Sequence, residues 1–477
     1  MGKGKFSVFE KEELERLHEG ALRVLAETGL KVRSEPALVL LRSAGCDVDL
    51  RSQIAKIPES VVSEALKNAD KEFVLASRDR SRDINIPAES HPFICTDGFA
   101  IEILDAETGE RRRSTNDDLA KFARMCDNLD SLDFFWPIVN PGDFPSNVQM
   151  PRAFLTALEN TGKHLQHEAM SAQVARLQID LAGLVVGGTK ELWRRPILSS
   201  VQCPVAPLVF EEGSIEGAIE FARAGVPVVY MSMPMMGGSA PITIAGAVLQ
   251  GHAEVLGGLT ISQLARKGAR VIHSVLTGPI DMQTGVWASG SPENAIGNAG
   301  AAQLAKHVGL PSMEGGFGTS AKTPGIQAGY EKISTMIPSA TVGADIITGI
   351  GGLDDAKCMS MVQAVIDAEM WTYVMRMQRG IEAIDSSLGI EAIGQVGPGG
   401  LFLKHRDTLS KFRSELWMPT LGQRQGQEDW KRTGRPDIVT RAAQTASRLS
   451  SLPVRNPIQS DLRKDLETLF AERTGLK

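Results

Sequence analysis

Chemically capable side chains in this sequence gather where short apolar runs give way to loops rich in glycine or proline. Trp136, Asn140 and Asp143 stand at or just after the run that begins at Phe134. His167 and Glu168 end the next run, and Gln202 with Cys203 ends the third. Met231, Met233, Met235 and Met236 precede Gly237-Gly238, and His273 and Asp281 flank the end of a fifth run. A sixth holds Glu314, Gly315, Gly316 and Phe317, while Gly397-Pro398-Gly399-Gly400 leads on to Phe402 and His405. Glu314 lies between Met313 and two glycines, and a charge in such apolar company needs a partner or a cationic ligand. Glu168 invites the same reading less strongly. His273 and His405 could be acid–base groups or ordinary packed histidines. The methionines could be core filling, and Asp281 could simply cap a loop.

Several chemistries lack their usual spacing. There is no His-x-x-x-His, Cys-x-x-Cys or His-Glu-x-x-His, so no metal site is expected. His164 and His167 are three residues apart on an expected strand, which turns them to opposite faces. No Gly-x-Ser-x-Gly elbow and no Walker-type phosphate loop occurs.

The elements that must position these residues follow one rhythm: apolar strand, loop, amphipathic helix, Gly or Pro stop. The pattern predicts strands at 134–139, 164–169, 197–202, 228–233, 270–276, 312–317, 345–349 and 392–396. Ser291-Pro292 and Thr323-Pro324 read as N-caps followed by proline at the first helical position. Gly225 and Gly309 read as helix stops. Eight such units imply an α/β fold, a (β/α)8 TIM barrel with its site at the C-terminal ends of the strands. An open doubly wound sheet competes, but the first strand leads into Asn140-Pro141-Gly142-Asp143 rather than a Gly-x-Gly-x-x-Gly turn. Before the barrel, residues 1–130 read as an α+β region. It has helices near 14–25 and 58–67, a β-hairpin between 93 and 114, and a capping box from Thr115 to Asp118. The barrel is expected over 131–410, and 411–477 as a helical extension packing on it.

Bulk properties narrow the class. The 477 residues suit one large domain with a smaller one, and the net charge of −6, with no basic tract, argues against nucleic acid. Arg111-Arg112-Arg113 sits beside acidic residues and reads as a solvated strand end. The five scattered cysteines suit a reducing cytoplasm. Neither a signal peptide nor a membrane-length apolar run stands out. Homo-oligomerisation is plausible for the N-terminal region.

Several stretches, in order, resemble the trimethylamine methyltransferase superfamily. They are Thr96-Asp97-Gly98-Phe99-Ala100, Met235-Met236-Gly237-Gly238-Ser239-Ala240-Pro241-Ile242-Thr243, and Asp281-Met282-Gln283-Thr284-Gly285. Further on come Glu314-Gly315-Gly316-Phe317-Gly318-Thr319-Ser320-Ala321-Lys322, then Gly397-Pro398-Gly399-Gly400-Leu401-Phe402-Leu403 with His405, and Phe412-Arg413-Ser414-Glu415-Leu416-Trp417. The resemblance spans essentially the whole chain. It implies a barrel enzyme that moves a methyl group from an amine to the cobalt of a separate corrinoid protein, with no tightly bound cofactor of its own. Trimethylamine-specific members carry pyrrolysine at the barrel mouth. This sequence has only standard residues, which implies the branch acting on quaternary amines, glycine betaine foremost.

A quaternary ammonium carries its own neutral leaving group, so the protein need only hold the cation, align one methyl and exclude water. Under the resemblance, Trp136, Phe317 and Glu314 would hold the cation. His405, His167 or Gln202 would meet a donor carboxylate. Met233 is expected to line the site, and Gly237, Gly238 and Gly316 to face the corrinoid. Glu314 and His405 are the expected catalytic pair. Two other readings stay open. One is a barrel lyase or isomerase using Glu314 and His273 as acid and base, and the other is a non-catalytic binder of betaine-like ligands.

Overall fold

Parallel strands with two differently packed faces organise the chain. The structure, a computed structural model, describes residues 6–98, 100–106 and 108–475. Its central strands are β1 Phe93–Thr96, β2 Leu165–Glu168, β3 Leu198–Gln202, β4 Val228–Ser232, β5 Val271–Val275, β6 Met313–Gly315 and β7 Ile346–Ile350. β2 to β5 form one parallel ladder, and β6, β7 and β1 form another. Parallel bridges link His273 to Ser312, Phe135 to Leu165, and Cys95 to Phe134. Helices Ala172–Val186, Glu212–Ala224, Ile244–Ala265, Pro292–His307 and Ile326–Val342 alternate with the strands, giving an α/β fold.

β2 to β7 fall where the apolar runs place them. The first expected strand, 134–139, is reduced to isolated bridges at Phe134, Phe135 and Val139, and the last is not a strand at all. Residues 392–396 belong to the helix Ile390–Val396, flanked by Gly389 and Gly397 at φ 65° and 69°. A short apolar run carries too few periods to separate the two structures. A strand from the other side of the 130/131 boundary completes the set: β1, read from sequence as part of a hairpin, pairs with β7 as Phe93↔Ile346 and Ile94↔Ile347. The hairpin itself is shorter, Glu102–Leu104 with Arg111–Arg113. The capping box at Thr115 and the Ser291 cap are present. Thr323 caps nothing, because that helix begins at Ile326 after Gly325.

Side-chain alternation separates the faces. Cys95, Phe134, Trp136, Val201, Val229, Met231, Ile272, Met313 and Ile346 form an inner cluster. Phe73, Leu75, Ile84 and Ile86 join it from the antiparallel pair Phe73–Leu75 and Ile84–Ile86. That pair is tied to residues just ahead of β3 and β5, by Ala76 N–H to Pro196 O at 3.0 Å and an Asp70–Arg270 bridge. It therefore stops the N-terminal end of the inner face. The outer face packs on helices.

Ile244–Ala265 is long and apolar enough to cross a membrane, but 72% of its most apolar window is buried in the protein. Gly258 lets this helix lie on Tyr230, where a Cβ would fall 2.4 Å from the ring. Gly→Ala within a helix normally gains about 1 kcal/mol. Here overpacking costs about 1–3 kcal/mol against a fully buried tyrosine whose hydroxyl is bonded to Ser262 Oγ at 2.7 Å. Gly258→Ala is therefore expected to lower the urea midpoint, and a raised midpoint would contradict the close approach.

Candidate functional site

A cavity of about 140 Å3 opens at the C-terminal ends of the strands. Alternation brings Trp136, Glu168, Met231, Gly315 and Thr348 to it, with Asp97, Gly98 and Phe317 just beyond the ends of β1 and β6. Loops and a helix start add Trp287, Ser289, Asn294, Asn298 and Asp355. That volume exceeds what one or two waters need and suits a small molecule.

Trp136 is the best-seated aromatic. Thr96 Oγ1 donates to Trp136 O at 2.6 Å and accepts from Trp136 N at 2.8 Å. The indole lies flat on Gly98, where a Cβ would fall 2.0 Å from the ring, so no larger residue fits at 98. The indole Nε1 atoms of Trp136 and Trp287 are both buried and have no protein partner among the described residues.

Carboxylates share the cavity with these rings. Asp97 accepts from Gly98 N at 3.0 Å, and burial pushes its carboxyl up to about 6 against the opposing pull of Lys332. Burial pushes Glu168 up to about 7. Asp355 Oδ1 accepts from Ser289 N at 3.0 Å, Ser289 Oγ at 2.7 Å and Ser320 Oγ at 2.8 Å, while its Oδ2 is buried with no partner. Asp355 sits in an unusual run: Asp354, Asp355 and Ala356 adopt φ of 51°, 55° and 64°. Side-chain-bearing residues avoid that region, and such strain persists only where surroundings impose it. Here Asp354 N bonds Ala321 O at 2.8 Å, Asp355 N bonds Thr319 O at 2.9 Å, and Arg111 Nη1 donates to Asp354 at 2.6 Å. Lys332, fully buried behind the Phe317 ring, donates to Asp367 at 2.9 Å and to Gly349 O at 3.3 Å.

The residues expected from sequence divide by strand face. Trp136, Phe317 and Met233 line the cavity; Glu314, His167 and Gln202 do not. His167 packs on Phe154 and bonds Met150 O at 2.9 Å. Gln202 bonds Ser200 and Ser214. Each lies one residue from a lining position: Glu314 beside Gly315, His167 beside Glu168, Gln202 beside Cys203. His405 is farther off, capping the helix Arg406–Glu415 and bonded to Gln395 at 3.0 Å. Once residues 390–396 are helical, no strand delivers His405 to the cavity. Gly237 and Gly238 are exposed in the loop after β4. Gly316 faces Ile347, where a Cβ would meet Cγ2 at 2.3 Å, so it serves packing. Asp97, Trp287, Asp355 and the two asparagines were missed as site residues. Of these, only Asp97 lay within a stretch carrying the family resemblance.

Glu314 instead begins a chain of polar groups on the outer face, buried through His273 and His252 and ending at half-buried His18. Its Oε1 lies 3.9 Å from His273 Nδ1. His273 Nε2 meets His252 Nδ1 at 2.9 Å, and His252 Nε2 meets His18 Nδ1 at 3.0 Å. Burial pushes His273 down to about 3 and His164 and His167 to about 4. The folded state thus favours these histidines neutral, and their contribution to stability is complete above the unfolded value near 6.5. It drains away as pH falls from there towards 4 to 3. Glu314 has the opposite sign. Burial raises its carboxyl, so its contribution is complete below about 4.5 and is lost as pH rises through the folded value. In urea unfolding at pH 7, 5.5 and 4.5, the parent should therefore lose stability relative to His164→Asn as the pH falls. Identical slopes would remove His164 from this account.

Comparison with known proteins adds a family. The family profile described as trimethylamine methyltransferase (MTTB) matches residues 2–475. Trimethylamine methyltransferase MttB of Desulfitobacterium hafniense is 32% identical over 464 residues, covering 97% of this chain and 93% of that one. Its namesake from Methanosarcina barkeri is 32% identical over 471 residues, covering 98% and 94%. A glycine betaine methyltransferase of D. hafniense is 27% identical over 428 residues, covering 89% and 88%. Among solved structures, the monomethylamine methyltransferase of M. barkeri shares the fold at TM-score 0.50 and 16% identity, covering 98% and 96%.

Proposed function

The chain belongs to the trimethylamine methyltransferase family, and from that premise we propose that it moves a methyl group from a quaternary amine to the Co(I) of a separate corrinoid protein. The cavity supplies the main support. It sets the aromatic faces of Trp136 and Phe317 beside the carboxylates of Asp97, Glu168 and Asp355, a combination suited to a cation that cannot donate hydrogen bonds. We read the strand set as a closed (β/α)8 barrel. Its support is the succession of parallel pairings from β1 through β7, β6, β5, β4, β3 and β2 to Phe135, and from Phe134 back to Cys95.

In the transfer, the C–N bond breaks, nitrogen keeps the electron pair and leaves as a neutral tertiary amine, and the carbon bonds to cobalt with the pair Co(I) brings. No proton moves. The chain's task is to hold the ammonium against the rings, point one methyl outward and keep water away. The corrinoid is a second substrate, delivered at the cavity mouth. Exposed Gly237 and Gly238, with exposed Met233, Ile242 and Met282, form an apolar rim there that suits a docked partner. The acid–base alternative loses ground, because Glu314 and His273 lie on the outer face. A cytoplasmic setting accords with the five free cysteines.

Glycine betaine, which would yield dimethylglycine, is the donor the sequence suggests, and the glycine betaine methyltransferase relative supports testing it. Purified protein given cob(I)alamin and a panel of quaternary amines should produce the visible spectrum of methylcobalamin with at least one. Silence across the panel would end the proposal.

A further inference from the structure

We infer that the cavity selects a donor with net positive charge, one whose ammonium is not offset by a carboxylate of its own. The inference rests on the quaternary-amine reading for the ammonium and adds a charge requirement from the cavity. Three carboxyl side chains line the cavity, Asp97, Glu168 and Asp355, and among the described residues that line it there is no Lys, Arg or His. The ammonium and guanidinium groups near it are already engaged. Lys332 is held by Asp367 and Gly349 O behind Phe317. Arg111 and Lys322 are both bound by Asp354 at the lip.

Asp355 points the same way by hydrogen bonding. Its Oδ1 takes three donors from Ser289 and Ser320, whereas Oδ2 is buried without one. A buried carboxylate oxygen left bare is costly unless a cation or donor meets it. A zwitterion would bring such a cation, but in a cavity this small its carboxylate would sit close to Asp97 and Asp355 with no positive side chain to receive it. A net cation gains the attraction without the repulsion. The unpartnered indole N–H groups of Trp136 and Trp287 offer hydrogen bonds without charge. They suit a hydroxyl or carbonyl oxygen carried by such a cation.

The test compares choline, tetramethylammonium and glycine betaine by titration calorimetry on the full chain, with methylcobalamin formation from cob(I)alamin read in parallel. Choline and glycine betaine share a trimethylammonium head and differ at an oxygen-bearing end, so their ratio reports charge. Choline and tetramethylammonium are expected to bind at least about tenfold more tightly than glycine betaine, a gap equal to one decade in Kd. Asp355→Asn, which keeps an Oδ1 acceptor, should weaken choline and narrow the ratio, and Asp97→Asn should do likewise. Glycine betaine binding as tightly as choline, no binding by any of the three, or a ratio unmoved in both variants would each overturn the inference. Tight choline binding without methyl transfer from any donor would leave the charge requirement standing and sink the methyl-transfer reading. Methyl transfer from a tightly bound glycine betaine would do the reverse.

Discussion

Replacing Trp136 with alanine is expected to slow methyl transfer by on the order of 100-fold at subsaturating donor. A desolvated cation over an indole is worth about 2 kcal/mol or more, which is already more than tenfold in rate at about 1.4 kcal/mol per decade. The rest comes from orientation: a donor no longer pressed between ring and carboxylate points its methyl away from the acceptor more often. The substitution also empties a buried site, at about 3–5 kcal/mol of stability, because the indole fills the space above Gly98 and is only 4% exposed. Trp136→Phe separates the two effects. It keeps a π face and most of the volume but loses the Nε1–H, so stability should largely return and transfer should recover to within about tenfold of the parent. Single-turnover traces at 25 °C together with urea curves make the comparison. A folded Trp136→Ala protein that transfers at the parental rate would remove this ring from the site.

Lys332→Met is expected to be the most damaging single change away from the cavity. Lys332 and Asp367 are both fully buried, 2.9 Å apart. Asp367 also accepts from Gly351 N at 2.8 Å and Gln363 Nε2 at 2.7 Å, so it cannot turn away once its ammonium partner is gone. Breaking a buried pair by removing one member costs about 3–5 kcal/mol, whereas replacing both with apolar groups is often near neutral. Lys332→Met should therefore lose most of its stability margin, and Lys332→Met with Asp367→Leu should recover much of it. The double variant should still bind donor differently. The Lys332 ammonium pulls the Asp97 carboxyl down more than the Asp367 carboxylate pushes it up, so losing both leaves it higher and less negative at neutral pH. Equal losses in the single and double variants, measured by urea unfolding, would count against this view of the pair.

How much of this was legible in the sequence turned on a single residue of register. The apolar runs locate β2 to β7, and the resemblance names the family that the comparisons show. What the runs do not encode is which alternate residue faces inward, since both faces of these strands are buried and neither is polar by default. Glu314, His167 and Gln202 were therefore favoured over their neighbours Gly315, Glu168 and Cys203. Trp136 escaped the ambiguity because its large aromatic ring marks it out within its run, and it shares the inner face with Phe134. Asp355 and Trp287 come from loops, where no period exists to read. His405 followed from a strand that is a helix, and β1 was hidden because its four residues precede a genuine hairpin.

The short antiparallel pair of Phe73–Leu75 and Ile84–Ile86 has a kinetic consequence. By corking the far end of the inner face, it turns the cavity into a cul-de-sac with one doorway. Under the methyl-transfer reading, donor, spent amine and acceptor must all use that doorway in turn. The amine loads first, the acceptor then covers the opening, and the demethylated product waits behind it until it lifts. Excess acceptor protein should therefore hinder turnover by sealing the chamber while it is empty or still occupied by product. The queue at the entrance, rather than the bond-breaking step, would then set the pace.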